Sequence, residues 1–155
     1  NAEKGEAARA DIASRSGNRS VALMQIDLAS FASIRTFAAA ALDRFEHIDV
    51  LLNNAGWLGD RDKQSFATLD YETFEEVLRI NTFGPLAMAQ AFMPHVLASE
   101  QKKIVVITSG LSSLTNTSRF GNLYFYRASK AAVNMAMRTL QAEVREQGVK
   151  INIMD

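Results

Sequence analysis

The 155 residues contain no cysteine, which excludes disulfides and thiolate metal sites. Two histidines are too few for a His-rich metal centre, and no metal is expected. Neither sign of charge is in surplus: 17 lysines and arginines balance 17 aspartates and glutamates, so no global field recruits nucleic acid or an anionic membrane. No apolar run approaches the ~18 residues of a membrane-spanning helix. The longest, residues 37–42, is mostly alanine. No leader is visible, and the chain opens on Asn1 inside a helical pattern, so an excerpt of a longer protein is expected. What is present is a soluble globular composition, 48% hydrophobic and 22% charged, of a length suited to one domain spanning residues 1–155. Its expected location is cytoplasmic.

Residues 2–15 are rich in alanine, glutamate, lysine and arginine and predict a helix that Gly17-Asn18 stops. Residues 21–26 read as a short buried strand. Ser30 then caps a helix in which Ile34, Phe37, Ala38, Ala41, Leu42 and Phe45 recur at helical spacing. Residues 49–53 form a second predicted strand, and 57–69 a surface loop. Asp70 caps a long helix over 70–98. Residues 104–108 are a continuous apolar, β-branched strand, and 109–122 a polar loop. A helix over 124–147, ended by Gly148, leads into a last strand at 149–154. Apolar strands alternating with long helices predict an open parallel sheet covered on both faces.

Four groups of residues carry possible chemistry. Tyr126-Arg-Ala-Ser-Lys130 puts a phenol and an ammonium on one helix face, where the cation favours the phenolate. The same spacing also occurs on ordinary solvated helix faces. Ser109 follows the strand at 104–108, at the carboxyl edge where parallel sheets bind ligands. Its hydroxyl could donate to a carbonyl oxygen, as could those of Ser112, Ser113 and Ser118 in the same loop. Asn53-Asn54-Ala55-Gly56 ends the preceding strand, where the asparagines can tie strands together or bond a ribose. The small residues there allow close backbone approach to a flat ligand. Asn81 lies four residues before Pro85, which cannot donate to its carbonyl, so a kink with a water site is expected.

In their order along the chain these groups resemble the short-chain dehydrogenase/reductase family, and Tyr126-Arg-Ala-Ser-Lys130-Ala-Ala-Val-Asn is similar to its carbonyl-reductase-like, C-factor branch. The resemblance implies a three-layer, doubly wound Rossmann-like α/β fold and hydride transfer between a nicotinamide and a carbonyl or alcohol. It assigns a catalytic tetrad to Asn81, Ser109, Tyr126 and Lys130, with Ser113 in reserve because 17 residues separate Ser109 from Tyr126. Cofactor contacts fall to Asp27, Leu28, Asn54, Ala55 and Gly56, together with Tyr126 and Lys130. The implied cofactor is NADP ahead of NAD. The implied partners are a small-molecule substrate and a second or further copies of the chain, through the helices at 70–98 and 124–147.

The family's opening strand, glycine-rich turn and helix have no counterpart in residues 1–155. The sheet is therefore expected to lack its first βαβ unit, leaving the strand at 21–26 without a neighbour. Taken alone, the polypeptide is expected to be poorly stable and deficient in cofactor binding. The other reading of this incompleteness is a non-catalytic module that senses nucleotide or associates with subunits.

Overall fold

The computed structural model describes residues 2–119 and 121–155, the side chains of residues 118 and 119 excepted. Helix α1 (Ala2–Ser16) forms as its composition predicts, yet buries none of its residues. Gly17, at φ +69°, takes the left-handed conformation that commonly ends a helix. The strand expected over residues 21–26 does not form. Among the described residues no strand pairs with this segment to take up its N–H and C=O groups, so an apolar pattern alone makes no ladder. Asp27 Oδ1 then accepts the Ala29 N–H at 2.9 Å, and Ser30 opens α2 (Phe31–Arg44) by accepting the Ser33 N–H at 3.2 Å.

Strands β1 (Val50–Asn53), β2 (Lys103–Ile107) and β3 (Lys150–Met154) form a parallel sheet in the order β1-β2-β3. Leu51 lies opposite Ile104, which lies opposite Ile151, so the three carboxyl ends share one edge. Each parallel connection needs a helical crossover. The first consists of α3 (Tyr71–Leu78), a π-helical turn (Arg79–Phe83) and α4 (Gly84–Ala98). The second is α5 (Tyr124–Val144), closed by a short turn and by Gly148 at φ +78°. Asp70 sits at the start of α3 as expected, but its carboxylate caps no backbone N–H. It takes the Thr73 hydroxyl at 2.7 Å and the Lys63 ammonium at 3.1 Å instead.

One core joins α2, α4 and α5 to a single face of the sheet. Leu51, Ile104 and Val106 meet Ile34, Ala38, Met88, Phe92, Val133 and Met137 there. The alternate strand residues point the other way. Val50 and Leu52 on β1 are 45% and 55% exposed, and Met154 on β3 is exposed as well. The chain is thus a Rossmann-like α/β fold with an incomplete sheet, packed on one face and largely open on the other. A cleft of about 530 Å³ separates Ala22, Leu23 and Met24 from Val50 and Leu52. No helix among the described residues is long and apolar enough to cross a membrane.

Candidate functional site

The chain leaves the carboxyl end of β1 through Asn53-Asn54-Ala55-Gly56, with residues 54–56 exposed. A Cβ at Gly56 would lie 3.1 Å from Lys130 Nζ and 3.7 Å from Asn81 Oδ1. Glycine therefore preserves the space over the lysine. Asn53 Nδ2 and Thr108 Oγ1, at the ends of β1 and β2, are buried and find no partner among the described residues.

Asn81 reaches the same edge from the π-helical turn. The expected distortion before Pro85 takes the form of a widened turn, in which the Gly84 N–H donates back to the Arg79 carbonyl. The side chain of Asn81 is 1% exposed and fully engaged. Its Oδ1 accepts the Trp57 N–H at 2.8 Å, and its Nδ2 donates to the Trp57 carbonyl at 2.8 Å and the Ser129 hydroxyl at 3.0 Å. Ser129 in turn donates to the Tyr126 carbonyl at 2.8 Å, while the Thr82 hydroxyl donates to the Ser129 carbonyl at 2.9 Å. These bonds join the loop after β1, the π-helical turn and the first turns of α5.

Tyr126 and Lys130 occupy successive turns of α5, with Lys130 Nζ 5.8 Å from the phenol ring centre. Lys130 is 3% exposed and donates to the Ile107 carbonyl at 2.9 Å. Burial pushes its ammonium below the ordinary lysine value, because leaving water disfavours the charged form. Ser109 lies two residues beyond Ile107 and is half-buried. Its Oγ accepts the Leu111 N–H at 3.2 Å, so the hydroxyl proton is left to donate elsewhere. Ser113 accepts the Asn116 N–H at 3.3 Å within its own loop, and Ser112 accepts from Asn134 Nδ2 at 2.8 Å. The side chain of Ser118 lies outside the described ones.

Asp27 is exposed, and Leu28 packs against the start of α4, where a Cβ on Gly84 would sit 3.4 Å from Leu28 Cβ. The pair therefore lies beside the end of the π-helical turn. The structure also shows a residue that the sequence pattern does not reveal. Gln64 is 1% exposed, within a loop expected to be solvated. Its Nε2 donates to the carbonyls of Leu58 and Asp60 at 2.8 and 3.1 Å, and its Oε1 accepts the Tyr126 N–H at 3.2 Å. A lone glutamine among charged residues carries no periodic signal.

The short chain dehydrogenase family pattern matches residues 1–155. The bovine protein named dehydrogenase/reductase SDR family member 13 is 35% identical over 131 residues, covering 84% of this chain and 31% of the relative. The C-signal protein of Myxococcus xanthus is 37% identical over 108 residues, covering 65% of this chain and 59% of the relative. The chain thus spans only part of the curated relatives it matches. Among solved structures, NADPH-bound carbonyl reductase from chicken fatty liver superimposes with a TM-score of 0.80 at 27% identity, covering 93% of this chain and 60% of that one.

Proposed function

The chain belongs to the short-chain dehydrogenase family, and from that membership we propose that the protein carrying it is a nicotinamide-dependent oxidoreductase interconverting a carbonyl and an alcohol. The observation that supports this most is the convergence of Lys130, Asn81 and Gly56 on one sheet edge, one helical turn from Tyr126. The bound nicotinamide, NADP in preference to NAD, supplies or accepts the hydride. The residues present fit such a group. Gly56 leaves room that a Cβ would fill, and Asn54 and Ala55 lie exposed beside it. Asp27 and Leu28, beside the π-helical turn, are assigned the adenine end.

In the reducing direction Tyr126 gives its proton to the oxygen of the substrate carbonyl as that oxygen gains negative charge. Ser109 donates to the same oxygen and orients it, with Ser113 as the alternative. Lys130 donates one N–H to Ile107 and has two left for ribose hydroxyls and for replenishing the proton on Tyr126. Asn81, through the π-helical turn, is assigned the water that links Lys130 to solvent. Exposed Tyr71, Leu86, Tyr124 and Met135 on α3, α4 and α5 support association of copies through these helices.

The test is Tyr126→Phe in the protein carrying this chain, with steady-state turnover of carbonyl substrates and cofactor titration read in parallel. The expected result is loss of turnover by about a thousandfold with cofactor affinity largely spared, the scale of a lost general acid. Turnover kept by the phenylalanine variant rejects the assignment. A parent protein that binds nicotinamide but turns nothing over points to the non-catalytic module.

A further inference from the structure

We infer that Gln64 is a positioning residue for Tyr126, holding the helix turn that carries the phenol from a loop 62 residues earlier in the chain. The inference rests on the oxidoreductase reading above and adds a residue to it.

Its origin is a defect at the start of α5. The first turn of a helix leaves N–H groups without intrahelical partners, and a Ser, Thr, Asp or Asn at the N-cap ordinarily accepts one of them. The N-cap of α5 is Leu123, which has no acceptor and lies at φ 55°, ψ 45°, outside the usual capping conformation. The N–H of Tyr126, the third residue of the helix, is among those left over. Gln64 Oε1 accepts it at 3.2 Å. The cap is thus supplied from another part of the chain, and to the residue on which the chemistry depends.

Gln64 suits this role because it is itself held. Its two Nε2 hydrogens are spent on the carbonyls of Leu58 and Asp60, which fixes the amide plane and directs Oε1 at the helix. Gly59 makes room for it. At φ +79° this residue is strained for any side chain, and a Cβ there would meet Gln64 Nε2 at 2.9 Å and Val77 Cγ2 at 2.8 Å. The loop from 58 to 64 begins two residues beyond Gly56. The turn assigned to the cofactor and the helix start bearing the phenol are therefore connected through one buried amide. Asn81 and Ser129 brace Tyr126 through its carbonyl, and Gln64 braces it through its N–H.

The experiment compares the parent with Gln64→Leu, which removes acceptor and donors, and uses Tyr126→Phe as control. Turnover, cofactor KM and amide hydrogen exchange are read on the protein carrying this chain. Gln64→Leu is expected to lower kcat about tenfold, the scale of a displaced catalytic group, with cofactor KM changed less than about twofold. In the parent protein the Tyr126 amide should exchange about tenfold or more slower than that of Tyr124, and Gln64→Leu should abolish the difference. Equal kcat in the parent and Gln64→Leu overturns the proposal. A Tyr126 amide as fast as that of Tyr124 in the parent does so too, even if Gln64→Leu fails to fold. If Tyr126→Phe retains turnover, the oxidoreductase reading fails first, and that outcome is distinct from the others.

Discussion

Lys130 is the residue at which the proposed function and stability pull apart. It is buried at 3% exposure, and among the described residues its hydrogen bond is to the Ile107 carbonyl. Below its lowered folded value the lysine is charged in both states, and the burial penalty is present in full. As pH climbs from that value toward the ordinary 10.5, the folded chain releases the proton before the unfolded one does, so stability rises across this window. Lys130→Met should therefore raise the thermal midpoint at pH 7 by about 2–4 °C, the equivalent of ~1 kcal/mol, while ending turnover. The gap between parent and variant should narrow when melting is repeated near pH 10. An unchanged gap would place the effect elsewhere than in the charge. Tyr126 and Lys130 were legible in the sequence because a spacing of four on a helix fixes a common face. Gln64 was not, because a single polar residue in a loop has no period, and its burial depends on a helix start far along the chain.

At the level of elements, the helices followed from local rules and the first strand did not. Ser30 precedes an apolar stripe of period 3.6, and the cap and the buried face at Ile34, Ala38 and Ala41 form as that pattern requires, whereas Phe45 falls just past the helix and is exposed. Ser30→Ala should cost about 1 kcal/mol, measured as a lowered urea midpoint with unchanged slope. Residues 21–26 have the composition of a strand, but a strand is a property of pairs. With no neighbour beside it the segment stays outside the sheet, and Leu23 is left 37% exposed. The turn at Arg79–Phe83 was legible only as a disturbance ahead of Pro85. That the disturbance widens the helix, and so turns Asn81 toward Trp57 and Ser129, depends on contacts 24 and 48 residues away.

On the scale of the whole molecule, the strands hold more apolar surface than the described helices cover. Ile104-Val105-Val106-Ile107 suits burial on both faces, yet one face of the sheet shows Val50, Leu52 and Met154 to solvent. Prepared as residues 1–155 alone, the chain should bind a hydrophobic dye and self-associate, and Leu52→Lys should reduce both effects in light scattering and fluorescence. A dye-silent monomer with a sharp melting transition would contradict this. The parallel crossovers carry a further consequence, for the order in which properties are lost. The bonds that bring the site together span 24, 48 and 62 residues, whereas those within α5 span four. Contacts that close long loops form late and open early. Under mild denaturant the proposed turnover should accordingly be lost while circular dichroism still reports intact helices.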